Sequence, residues 1–166
     1  MPDPTSDPDR AHSDPDGIEI VRTFDAPRER VFEAWTRAEG WAAWFGEHGS
    51  TIRPDRVAMD ARPGGRWSLV MLHGPEEVEL HFSGTFLEVV APERVVTTLS
   101  DTPDPETEQV EVVTVVLRDL GEGRTELTFT QRGGNLPPEQ YEQAMRGWLV
   151  FLERQDDYLK MRHDSP

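Results

Sequence analysis

Along this chain the apolar residues keep time first in twos, then in threes and fours, then in twos again, and finally in threes and fours. Residues 17–24, GIEIVRTF, alternate apolar and polar side chains from Ile18 to Phe24, the period of a strand with one buried face. In residues 25–46, DAPRERVFEAWTRAEGWAAWFG, the period becomes helical: Val31, Phe32 and Trp35 form one stripe. Pro27 suits the first helical position, where its missing N–H costs nothing, and Asp25 lies where a negative charge favours the helix dipole. Gly40 punctuates the pattern, and a second short helix then gathers Trp41, Trp44 and Phe45 on one face. Strand patterns follow at about 51–60, 66–73, 78–90, 94–100, 109–119 and 124–131, joined by short turn-rich connectors such as DARPGG, GPEE and LGEG, so neighbours in sequence are expected to pair antiparallel. After Gly133 and Gly134, a long amphipathic helix opens at Pro137 or Pro138, with Tyr141, Met145, Trp148, Leu152 and Leu159 as its stripe and Ala144, Leu149 and Phe151 widening it. One sheet cannot bury its apolar face alone, and this helix is the element long enough to cover it. The expected fold is α+β: a curved antiparallel sheet of about seven strands around a long C-terminal helix, with two short helices after the first strand.

The ends carry no such pattern. Residues 1–16 hold four prolines, five aspartates and no large apolar residue besides Met1, and are expected to be a disordered acidic tail. The domain is expected over 17–160, with residues 161–166 as a frayed C-terminus.

Composition narrows the class of partner. Asp and Glu number 32 against 17 Lys and Arg, a formal net charge of −15, and Lys160 is the only lysine. Phosphate backbones and anionic lipid surfaces draw their protein partners through basic patches, so neither nucleic acid nor a membrane is expected as a partner. There is no cysteine, which excludes disulfides and thiolate chemistry. No apolar run reaches the length of a membrane span and the N-terminus lacks a signal-peptide pattern, so a cytoplasmic location is expected.

The search for chemistry yields few candidates. The Gly-Gly of DARPGGRW is followed by a strand pattern rather than a helix, which reads as a turn needing positive φ, with Asp60 and Arg62 placed to pair across it. The five histidines lack metal-ligand spacing, so no metal site and no cofactor are implied; His73 and His81 flank one hairpin, where register could bring them together. No nucleophile elbow is visible. General acid–base candidates are His81 and Tyr141, the latter on the inner stripe of the terminal helix. Gly147 is a further signal: inside a helix it costs about 1 kcal/mol relative to alanine, which suggests close approach of the helix to the sheet or to a ligand.

The order of elements, with FDAPRERVFEAWT, the W-F-G of AAWFG, the DARPGGRW turn, the GTFLEVVAPERVV hairpin and the GW of RGWLVFLE, resembles the START-like (SRPBCC) helix-grip superfamily. Within it the likeness is greatest to the branch named after the activator of heat-shock protein 90 ATPase, and runs from about Ile18 to Leu159. The resemblance implies a cavity between sheet and terminal helix. The chain is accordingly read as a non-enzymatic domain binding a small apolar or aromatic ligand, with Trp35, Trp41, Trp44, Phe45, Trp67, Phe82, Phe86, Tyr141, Met145 and Trp148 expected around it. The same superfamily implies two alternatives: an aromatase/cyclase-like enzyme acting on a polyketide-type substrate, and a co-chaperone-like module that engages a protein partner. Within the aromatic trio, Trp44 matches the family's motif tryptophan and is expected to pack, whereas Trp41 is expected to lean over the pocket mouth.

Overall fold

In the computed structural model, which describes residues 9–46, 49–100 and 110–163, the first alternating run forms β2 (Gly17–Phe24), with Ile18, Ile20 and Phe24 buried. Pro27 then caps α1 (Arg28–Thr36), its ring already holding a φ of −68°. The second short helix is α2 (Ala38–Trp44). The pattern expected as one strand over 51–60 is broken into β3 (Ser50–Thr51), a 3-10 turn at Pro54–Arg56 and β4 (Val57–Met59). Pro54 has no N–H to give to a ladder, so pairing stops there and resumes beyond it. The remaining strands fall where alternation predicts them: β5 (Arg66–His73), β6 (Val78–Val90), β7 (Arg94–Leu99), β8 (Glu111–Gly121) and β9 (Arg124–Arg132). The terminal helix is α3 (Pro138–His163).

A further strand, β1 (Arg10–Asp14), precedes β2; all strand pairs are antiparallel, and the path across the sheet is β1-β2-β9-β8-β7-β6-β5-β3, with β4 also paired to β5. Among the described residues nine strands therefore stand where about seven were expected. Besides the divided strand, the addition is β1 (Arg10–Asp14), inside the segment read as a disordered tail. Residues 1–8 of that segment lie outside the described residues. β1 is held by means that hydrophobic patterning does not register. Its backbone pairs with β2, Asp14 Oδ1 accepts the N–H groups of Asp16 (2.8 Å) and Gly17 (3.0 Å), and Arg132 Nη1 reaches both Asp14 oxygens at 3.1 Å. At the other end, positions 161–163 continue α3 rather than fraying, and 164–166 lie outside the described residues.

α3 packs on the inner face of the sheet, burying Tyr141, Trp148, Leu152, Gln155 and Leu159. It is tied to its surroundings by Arg30 Nη2 donating to the Leu159 carbonyl (3.0 Å) and by Arg154 Nη1 donating to the Gly46 carbonyl (2.8 Å).

The two short helices close one end of the groove between sheet and α3. A helix leaves its last carbonyls without intrahelical donors. At the end of α1 those of Ala34 and Trp35 accept the indole N–H groups of Trp44 (2.7 Å) and Trp41 (2.9 Å). Both tryptophans thus pack by their rings and cap by their edges. Trp35 donates to Gln155 Oε1 on α3 (3.0 Å), and Trp67 donates to Thr97 Oγ1 on β7 (2.7 Å). Gly84, paired with Trp67 across β5 and β6, makes room for that indole: a Cβ there would collide with the Thr98 carbonyl and the Trp67 ring. Trp35, Trp41, Trp44 and Trp67 are each no more than 1 % exposed. The expectation that Trp41 leans over a pocket mouth is therefore corrected: its indole edge is drawn inward by the orphan carbonyl of Trp35.

Candidate functional site

Beyond this sealed cluster the same groove stays open. A cavity of about 660 Å³ lies between the first half of α3 and the sheet. The alternation of β5 and β6 turns Met71 and His73, and Leu80 and Phe82, to one wall, and Leu99 extends it from β7. The opposite wall is the α3 face of Ala144, Gly147, Trp148 and Phe151. Phe45, just after α2, joins the two regions: its ring lies 5.5 Å from Trp41 on one side and 5.2 Å from Phe82 and 4.8 Å from Phe151 on the other. Gly147, whose helical position costs stability, lines the cavity, where the missing side chain leaves space.

One end of this cavity is polar and built. Glu111 opens β8 in phase with Val113, Val115 and Leu117, so the strand's pleat turns its carboxylate to the inner face, where it is 7 % exposed. Its Oε1 accepts Gln131 Nε2 (3.2 Å) and its Oε2 accepts Asn135 Nδ2 (2.6 Å). Gln131, itself in phase with Leu127 and Phe129 on β9, accepts the Trp148 indole N–H at 2.8 Å. Asn135 also donates to the Val110 carbonyl (2.9 Å), and its backbone N–H reaches the Tyr141 hydroxyl oxygen (3.1 Å). Gly133 lets this turn approach, since a Cβ there would overlap the Glu111 carboxylate. Burial first, and then a hydrogen bond to the Glu111 carboxylate, hold the Tyr141 hydroxyl above the usual phenol range, so it remains a neutral donor at physiological pH. An apolar chamber with a hydrogen-bonded carboxylate at one end can take a mainly apolar molecule and fix its polar group.

Of the ten residues expected around a ligand, Phe45, Phe82 and Trp148 line the cavity. Trp35, Trp41, Trp44, Trp67 and Phe86 lie in the core away from it, Met145 packs partly buried against the core, and Tyr141 sits wholly buried behind the polar end. His81 does not join them. It pairs with Val70 in the outward phase of β6, is 43 % exposed, and has Glu79 Oε1 at 3.8 Å. His73 faces the cavity instead, so the register separates the two histidines that the hairpin might have joined. Among the described residues no group of three His, Asp or Glu side chains is placed to hold a metal, and no helix is long and apolar enough to cross a membrane. The Asp60–Arg62 pair forms at 2.8 Å on the outer turn, far from any role in the chamber, and Gly64 there has a φ of +83°. Sequence reasoning missed Glu111, Gln131 and Asn135. For the first two a signal was present: each is a polar residue in the buried phase of an apolar strand.

The model of the family described as activator of Hsp90 ATPase homolog 1-like protein matches residues 25–160, and the chain belongs to that family. Its fold is that of the START-like helix-grip superfamily. Among solved structures, a protein of Chromobacterium violaceum is similar at 27% identity with a TM-score of 0.75, covering 88% of this chain and 98% of that one. A protein of Nitrosomonas europaea is similar at 24% identity and a TM-score of 0.75, covering 89% and 96%. A protein of the dynemicin biosynthetic locus shares the fold at 22% identity and a TM-score of 0.67, covering 86% of this chain and 46% of that one. No curated protein matches the chain.

Proposed function

We propose that this member of the activator of Hsp90 ATPase homolog 1-like family binds an apolar or aromatic small molecule in the cavity between the sheet and α3. The observation that carries the reading is the contrast within that cavity: aliphatic and aromatic walls from β5, β6, β7 and α3, and one hydrogen-bonded polar end at Glu111. Its volume of about 660 Å³ falls inside the usual range for small-molecule sites. The test is titration of the whole chain with a neutral apolar fluorophore such as N-phenylnaphthylamine, beside an Ala144→Phe variant that fills the chamber from α3. Saturable uptake by the native chain, lost in the variant while its melting midpoint holds, supports the reading. No uptake, or equal uptake by both, sinks it.

A second reading is aromatase/cyclase-like turnover of a polyketide-type substrate. What favours it is the placement of a carboxylate, Glu111, at the end of an apolar chamber with the neutral Tyr141 phenol bonded behind it, a setting in which proton transfer between the carboxyl group and a bound carbonyl compound becomes effective. Mass spectrometry of a polyketide-type substrate incubated with the chain separates the two. A dehydrated or cyclised product that disappears in Glu111→Gln supports turnover, and recovery of unchanged substrate supports binding alone.

A further inference from the structure

The polar end of the cavity holds a negative charge and no positive one. Glu111 is 7 % exposed, and its partners are the amides of Gln131 and Asn135 and the Tyr141 hydroxyl, all neutral. Among the described residues lining the cavity there is no arginine and no lysine; the other titratable group is His73, on β5. Neutral dipoles orient toward a carboxylate without cancelling its charge, and a buried carboxylate without a counter-charge is costly. Each donor is fixed from the protein side, by the strand pleat for Gln131 and by the turn at Gly133 for Asn135. The side of Glu111 that faces the cavity is the one left for a ligand. A carboxylate-headed amphiphile would meet like charge there, inside a chain whose net charge is already −15.

We infer that the ligand carries a protonated amine on its apolar or aromatic body, and that Glu111 is its counter-ion. The inference rests on the cavity being the ligand site, as proposed above. The body lies against Phe82, Leu99 and Phe151, whose apolar surfaces accept rings without directing them, while the ammonium donates to the Glu111 carboxylate and completes its ring of donors. A purely structural Glu111, one that only holds the turn at Asn135, would leave ligand preference indifferent to its charge.

Three probes of one shape and different heads decide the matter: naphthylmethylamine, naphthalenemethanol and naphthoic acid, titrated calorimetrically into the whole chain near neutral pH and at physiological salt. Competition between amine and alcohol establishes that they share one site. The expected order is amine, then alcohol, then acid, with the amine tighter than the alcohol by roughly tenfold or more, the scale of a desolvated charge pair. In Glu111→Gln the amine's advantage over the alcohol should vanish. That variant removes only one unit of a net charge of −15, so a general attraction of cations to an acidic chain would survive it. An alcohol or acid that binds as well as the amine overturns the inference and leaves the cavity reading intact, as does an amine preference that persists in Glu111→Gln. If none of the three binds, the cavity reading falls and the inference with it. The native order alone needs no variant, so a variant that fails to fold cannot rescue the idea.

Discussion

At one end of the groove under α3, Trp35, Trp41, Trp44 and Trp67 are sealed from water, neighbouring rings among them 4.5 to 5.8 Å apart and every one of their indole N–H groups given to a protein acceptor. At the other end Phe45, Phe82, Trp148 and Phe151 stand around about 660 Å³ of space. Both regions are built of aromatic side chains, so residue type does not separate packing from binding. The difference lies in what presses on them. The closed end is covered by α1 and α2, whose carbonyls and indoles satisfy one another. Among the described residues no second helix covers the open end, and its α3 wall thins to Ala144 and Gly147. Of its aromatics, Trp148 has its N–H bound into the carboxylate network rather than into the core.

The largest effects should come from the closed end. Trp44→Ala should cost on the order of 3–5 kcal/mol, the range for truncating a buried large aromatic, and Trp41→Ala should cost about as much, since each also strips an α1 carbonyl of its donor. Chemical denaturation measures both. A Trp41→Ala loss below about 1 kcal/mol would return that ring to the pocket mouth. Phe82→Ala, at the open end, should be milder in stability, below about 2 kcal/mol because the ring is only partly buried, yet it should weaken uptake of an apolar fluorophore. If it destabilises as much as Trp44→Ala and leaves uptake unchanged, the two regions are one core.

Smaller effects follow from titration. The folded Tyr141 holds its proton more tightly than the unfolded chain does, so the stability this provides is complete below the ordinary phenol pKa and is lost as pH rises toward the higher folded value. Alkaline unfolding should therefore be shallower in Tyr141→Phe than in the native chain; identical alkaline limbs would mean that neither burial nor Glu111 holds the phenol's proton. Asp14 has the opposite sign. The backbone N–H of Asp16, and then Arg132, hold its carboxyl below the usual range, so its contribution is present above the ordinary carboxylate pKa and fades as pH falls below it. Asp14→Asn should speed amide exchange in β1 at neutral pH with little change in the global melting midpoint. Unaltered exchange would show that strand pairing alone holds β1.

How much of this is visible in the chain itself depends on what each element is held by. Elements held by apolar burial are legible: β5 to β9 and α3 fall where period and breakers put them, because Leu69, Val113, Val115 and Phe129 must face one way for the sheet to bury them. β1 is illegible by that route, since RAHSD is polar and is kept by backbone pairing and by Asp14. The site divides along the same line. Glu111 and Gln131 could be read from their phase among buried neighbours, whereas Asn135 reaches the carboxylate through a glycine turn that no periodicity describes. The orientation of His81 is a question of phase, and that phase goes with Gly84 pairing opposite Trp67 and leaving room for its indole, a contact between two strands that neither strand announces alone.

The most direct test of the division between the two ends is an intermolecular NOE map of the chain saturated with naphthalenemethanol. The account predicts contacts from the probe to Phe82, Leu99, Ala144 and Phe151 and none to Trp41, Trp44 or Trp67. Contacts to those three tryptophans, or to the outer face around His81, would contradict it.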